Sequence, residues 1–167
     1  MKRETNRRKA TVLLVMMFGA LTLPAVPIGI LQAAEPPVVR VAVLAPKKAT
    51  AKLPFDLVVE LTVAPNYHIY PPGRDQVNIP TQVTVEAPTG FLVGKGKYPK
   101  PQIGTSSGDE IEMYEGKVRV TVPITPPKSV KGSRVFVVRT RYQACTTEMC
   151  LPPADSVQKV TIPFAVR

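Results

Sequence analysis

Phe55-Asp56-Leu57-Val58-Val59-Glu60-Leu61-Thr62-Val63 is the stretch that decides the fold. Apolar side chains take every second position, with Asp56, Glu60 and Thr62 between them, which is the period of a strand that buries one face. The same period returns on both sides of it. It appears in Val39, Val41 and Val43, in Val83 and Val85, in Val118, Val120 and Val122, and in Val160, Ile162 and Phe164. Val135, Val137 and Val138 lead through Arg139 and Arg141 to Tyr142 in a further run. These segments are rich in β-branched residues and separated by Pro and Gly clusters. Beyond residue 34 no sustained helical periodicity occurs, and the prolines would interrupt it. The expectation is all-β: an antiparallel immunoglobulin-like β-sandwich. His68 to Tyr70 and Leu92-Val93 are candidates for one more short strand.

The N-terminus reads differently. Lys2, Arg3, Arg7, Arg8 and Lys9 precede an apolar stretch from Val12 to Leu23, followed by Pro24, Pro27 and Leu31-Gln32-Ala33-Ala34. This is the pattern of a secretory signal peptide, with cleavage expected after Ala33 or Ala34. A retained anchor needs about 20 apolar residues, and this run is shorter and ends in prolines. Residues 1–34 are therefore read as the signal peptide and 35–167 as one domain, large enough for its own core. The expected location is the periplasm. No cysteine follows the cleavage region to accept a lipid, and Arg7-Arg8 lacks the surroundings of a twin-arginine signal.

The formal net charge of the whole chain is +10. Much of it sits in the leader, and the remaining Lys and Arg residues are scattered from Lys47-Lys48 to Arg141. A nucleic-acid surface would require a basic stripe with interleaved aromatics, so no nucleic-acid partner is expected. Gly94-Lys95-Gly96 lacks the strand-turn-helix context of a phosphate loop. No Ser-His-Asp arrangement or paired carboxylates suggest a hydrolase.

Chemistry concentrates in Arg141-Tyr142-Gln143-Ala144-Cys145-Thr146-Thr147-Glu148-Met149-Cys150-Leu151-Pro152-Pro153, which holds the chain's 2 cysteines. In an exported protein such a pair is either a structural staple or a dithiol that exchanges electrons. Closing a loop of about six residues removes only ~2 kcal/mol of unfolded-chain entropy, against ~4.7 for a loop of about a hundred. A bond between Cys145 and Cys150 ties a turn to itself, so it can open without unfolding the sandwich. Glu148, two residues before Cys150, is placed either to raise a thiol pKa and handle its proton or to stand as a solvated loop charge.

Tyr142-Gln143-Ala144-Cys145, a short spacer, Cys150 and Leu151-Pro152-Pro153 resemble the cysteine segment of the N-terminal periplasmic domain family of the thiol:disulfide interchange protein DsbD. Pro65-Asn66-Tyr67-His68-Ile69-Tyr70-Pro71-Pro72-Gly73 is similar to that family's aromatic-x-Tyr segment, and Pro80-Thr81 and Tyr114-Glu115-Gly116 agree with it. The resemblance spans essentially all of residues 35–167. It implies an immunoglobulin-like domain that passes reducing equivalents to oxidised periplasmic proteins, with Cys150 forming mixed disulfides and Cys145 resolving them. It places His68, Tyr70 and Tyr142 beside the cysteines. The chemistry is thiolate attack on a disulfide, which needs no metal or cofactor. The family covers its cysteines with a cap loop carrying an acidic pair and then an aromatic residue. The corresponding stretch is Gly108-Asp109-Glu110-Ile111, with Ile111 at the aromatic position, so Asp109 and Glu110 become candidate proton-handling residues. The alternative for them is a plain polar loop. Full-length members of the family continue into a membrane conduit and a thioredoxin-like domain. This chain ends at Arg167, so its expected electron donor is a separate membrane-bound disulfide reductase or thioredoxin-like protein.

His68 is the single histidine, and a lone imidazole between Tyr67 and Ile69 is also readable as a packed strand-end residue. With Cys145, Met149 and Cys150 it could form a soft Cu(I) site, although a blue-copper centre would require a second histidine. Three functions therefore stand at this stage: a thiol:disulfide exchange module, a non-catalytic immunoglobulin-like binding or assembly domain with a structural disulfide, and a copper-handling domain.

Overall fold

The computed structural model describes residues 37–73 and 78–165. The expected leader and its cleavage site lie outside them. Strands follow in chain order as β1 (Val39–Leu44), β2 (Ala49–Thr50), β3 (Phe55–Val63), β4 (His68–Ile69), β5 (Gln82–Glu86) and β6 (Leu92–Val93). The chain continues through β7 (Gln102–Ser106), β8 (Asp109–Met113), β9 (Lys117–Thr125), β10 (Gly132–Tyr142), β11 (Ala144–Cys145) and β12 (Ala154–Ala165). The described residues contain no helix. The fold is the expected all-β immunoglobulin-like sandwich, with one sheet ordered β1-β3-β9-β6 and the other β2-β12-β10-β5. Pairing is antiparallel except for the short β12–β2 contact. Both candidates for an extra strand form one, as β4 and β6.

Period-two patterning accounts for the register. Leu57, Val59 and Leu61 of β3 stand opposite Val122, Val120 and Val118 of β9, all of them buried, so a slip of either strand by one residue would turn its three apolar side chains out of the core. Each fully buried aliphatic side chain contributes roughly 1.5–3 kcal/mol by leaving water. In the second sheet the inward residues of β10 are Phe136, Val138 and Thr140, while Val135 is exposed. The valine run of the sequence thus straddles both faces, and the large Phe136 ring selects the one that enters the core. Phe136 meets Phe55 and Phe91 edge-on at ring-centroid distances of 6.0 and 5.2 Å, the arrangement favoured by the aromatic quadrupole. Outward positions are polar, as where Glu60 accepts from Arg119 at 2.8 Å and pairs with Lys117 at 3.4 Å.

That aromatic cluster occupies one end of the sandwich. At the opposite end β3 finishes, β9 begins and β10 finishes. There Ala64-Pro65-Asn66-Tyr67 reverses the chain, with Tyr67 N–H donating to Ala64 O at 3.2 Å and Asn66 at φ 67°. Proline second and asparagine third, with positive φ at the third position, is a type II turn. It delivers β4 alongside β11, and Ile69 exchanges backbone hydrogen bonds of 2.9 and 2.8 Å with Tyr114 on its other side.

Candidate functional site

After β10 the chain folds into a miniature hairpin. Thr146 N–H donates to Met149 O at 2.8 Å and Leu151 N–H to Ala144 O at 2.9 Å. Cys145 and Cys150 fall between these bonds as a directly opposed pair. Non-hydrogen-bonded pairs of this kind bring Cα atoms to about 4.5 Å. Here the separation is 4.0 Å and the two sulfurs form a disulfide. Thr146 Oγ1 accepts the N–H groups of Glu148 and Met149 at 3.2 and 3.1 Å, which fixes the turn.

The two cysteines differ in access. Cys145 is fully buried, because β11 lies against β4 with Cys145 opposite His68. Cys150, on the returning strand, is exposed. It opens on a cleft of about 510 Å³ bordered by Tyr70, Asn78, Asp109, Ile111, Glu148 and Met149. The carboxamide oxygen of Asn78 stands 3.9 Å from Cys150 Sγ, close enough to accept a weak hydrogen bond from the thiol that reduction would create. Gln143 braces this arrangement: its Oε1 accepts Ile79 N–H at 3.0 Å and its Nε2 donates to Leu151 O at 3.1 Å.

Behind the cysteines His68 is buried, with Nε2 3.2 Å from the Tyr70 hydroxyl and the rings edge-to-face. Burial holds its pKa below the ordinary histidine value, and the charge of Glu115 opposes that only in part. The Tyr70 phenol is pushed up by burial, offset in part by hydrogen bonds with the side chains of Ser106 and Asn78. Both groups are therefore neutral near pH 7. A second cleft, of about 630 Å³, is bordered by His68, Met113, Glu115, Glu148 and Met149.

Over the disulfide lies a second hairpin, β7–β8, at the stretch where a cap or a polar loop was expected. Its two-residue turn, Ser107-Gly108, has φ of 53° and 90°, the positive pair that a type I′ hairpin turn requires. The tip is latched to the cysteine turn, since Ser107 donates to Thr147 O through N–H at 3.0 Å and through Oγ at 3.4 Å. Gly104 in β7 leaves space for Met113, whose sulfur and methyl would lie 2.6 Å from an added Cβ.

Of the residues expected at the site, Cys150, Tyr70, Asp109 and Glu148 border one cleft, and Cys145 and His68 lie directly behind it. Two do not join them. Glu110 is exposed outside both clefts, because alternation along β8 turns it away from Asp109. Tyr142 packs on the core and donates its hydroxyl to Val39 O at 3.3 Å, tying one sheet to the other. Asn78, Gln143 and the Ser107–Thr147 latch carry no role in the sequence reading. Only the Ser107-Gly108 turn dipeptide could have announced any of them. Among the described residues no three His, Cys, Asp or Glu side chains are grouped to hold a metal ion.

The site can thus present one sulfur of a disulfide to an incoming thiolate while the other stays sealed. The family model described as thiol:disulfide interchange protein DsbD, N-terminal, matches residues 40–162. No curated protein matches the chain. Among solved structures it is similar to the N-terminal periplasmic domain of ScsB from Proteus mirabilis, at 14% identity and a TM-score of 0.52, over 73% of this chain and 44% of that one. The Neisseria meningitidis DsbD n-terminal domain in the reduced form aligns at 16% identity and TM-score 0.46, over 68% and 82% of the two chains. The complex between the DsbD N-terminal and PilB N-terminal domains of the same organism gives 14%, 0.47, 72% and 80%.

Proposed function

Since this chain belongs to the family of N-terminal domains of the thiol:disulfide interchange protein DsbD, we propose that it is a periplasmic thiol:disulfide exchange module working through Cys145 and Cys150. The observation that carries this reading is the asymmetric disulfide, with Cys150 exposed in a cleft and Cys145 fully buried. In the reduced module the Cys150 thiolate attacks a disulfide sulfur of an oxidised periplasmic client, forming a mixed disulfide and releasing one client thiolate. Cys145 then attacks Cys150 Sγ, restores the internal disulfide and releases the second client thiolate. Two electrons leave the module in each cycle. A membrane-bound disulfide reductase or a thioredoxin-like protein returns them by the reverse exchange. Residues 1–34 serve as the cleaved leader and 35–167 as the working domain, with Tyr70, His68, Asp109 and Glu148 around the sulfurs.

Thiol trapping with mass spectrometry, after equilibration in redox buffers of known potential, tests the proposal. An exchange module becomes a dithiol within the range of such carriers, roughly −120 to −270 mV. A pair still oxidised below about −300 mV is a structural disulfide and refutes it.

A further inference from the structure

His68 is a buried titratable group for which the exchange chemistry described above has no use. Cys145 has a corresponding need. In the reduced module it is a thiol sealed from solvent, and it must lose its proton before it can attack Cys150 Sγ. Burial without a partner raises a thiol's pKa and starves the thiolate. Water does not reach Cys145 directly, so the acceptor must come from its neighbours.

His68 is the residue directly opposite Cys145 in the β4–β11 pair. Directly opposed residues of an antiparallel pair project to the same face with Cβ atoms about 4.5–5.5 Å apart. From this register we infer that His68 takes the proton of the Cys145 thiol during resolution of the mixed disulfide. The inference rests on the exchange reading and adds the base to it. Nε2 is engaged with the Tyr70 hydroxyl at 3.2 Å. When Nε2–H donates to that oxygen, the Nδ1 lone pair is the basic one. The titratable groups around the ring are Tyr70 from its own segment, Cys145 from β11, Glu148 from the cysteine turn and Glu115 beyond β8. Burial outweighs the nearby carboxylate and keeps the imidazole unprotonated at neutral pH, so it is ready to accept.

The step balances. Cys145–SH and neutral His68 give a thiolate and an imidazolium, the thiolate bonds to Cys150 Sγ, and the client sulfur leaves with the bonding electron pair. The imidazolium then releases its proton through the second cleft, which His68 borders.

Stopped-flow reaction of the reduced chain with the aromatic disulfide dithiobis-nitrobenzoate separates the steps. Attack by Cys150 releases the first coloured thiolate in a phase proportional to reagent. Resolution by Cys145 releases the second in a phase independent of reagent. With His68 as base, the second phase rises with pH to a bend below about 6.5 and is flat above it. In His68→Phe the bend vanishes, the rate at neutral pH falls by about tenfold or more, and it climbs with pH through the neutral and alkaline range as hydroxide takes over the deprotonation. The first phase is unchanged. A wild-type second phase that climbs without an acidic bend overturns the inference with no variant needed, and so does a His68→Phe profile identical to wild type. Absence of the first phase removes the exchange reading itself.

Discussion

Opening the disulfide should cost this domain little of its stability. The perturbation is chemical reduction or Cys150→Ser, and its magnitude follows from the ring that Cys145 and Cys150 close, at a sequence separation of 5. A loop of about six residues constrains the unfolded chain by only ~2 kcal/mol. What holds the segment in place survives the change. Ala144 and Cys145 keep their pairing with Ile69 and His68, the turn keeps its two backbone bonds, and Gln143 still clasps Ile79 and Leu151. Urea unfolding followed by circular dichroism, with and without reductant, measures the difference. With an m-value of about 1–3 kcal/mol per molar urea, the midpoint should fall by roughly 1 M while the transition stays cooperative. A loss above about 4 kcal/mol, or a transition that broadens into several, would mean that the bond holds the sandwich together, and the reasoning from loop length would fail.

Tyr142→Phe should lower stability by about 1 kcal/mol through loss of the bond to Val39 O, while the redox midpoint of the cysteine pair stays where it was; a shifted midpoint would return Tyr142 to the site. Thr140→Val should raise stability by about 1 kcal/mol, since its buried hydroxyl has no hydrogen-bond partner among the described residues, and a urea titration decides the sign. Stability should also decline in acid through His68. Its folded pKa lies below the ordinary value, so between the two the unfolded state binds more protons, and unfolding free energy drops as pH falls below about 6.5, by at most about 1.4 kcal/mol per unit. The stability difference between wild type and His68→Phe, plotted against pH, isolates this contribution, and a difference that does not vary across that window would refute it.

The sandwich was legible because its strands bury one face against a common core. β3 and β9 declare themselves since Leu57 to Val63 and Val118 to Ile124 are buried at alternate positions. β10 was legible as a strand but not in its phase, because valines stand on both faces and only the core's demand for Phe136 separates them. The β7–β8 hairpin was not legible. It packs on the cysteine turn, so Ile103 is exposed and only Met113 of its ten strand residues is buried, which leaves no periodic signal. The cysteines could be read as a pair from their spacing, but not their environment. Asn78 reaches Cys150 across 72 residues of sequence, and contacts of that range follow from sheet topology that no local pattern encodes.

That topology also explains how two cysteines facing each other in one hairpin acquire opposite fates. Paired strand residues ordinarily share a face and a degree of burial. Here the hairpin sits at the edge of a small sheet in which β4 flanks β11 and Tyr114 closes the far side of β4. The strand carrying Cys145 therefore has neighbours on both sides, β4 and its own return, whereas among the described residues the return carrying Cys150 is last in the row. Lateral position, not residue type, makes one sulfur the interior member and the other the exposed one. A substitution that gave the Cys150 strand a further partner would bury the exposed sulfur, and one that detached β4 would expose the buried one. The type II turn at Pro65-Asn66 is the part of the sequence that sets this order, because it delivers β4 to the Cys145 side of the hairpin.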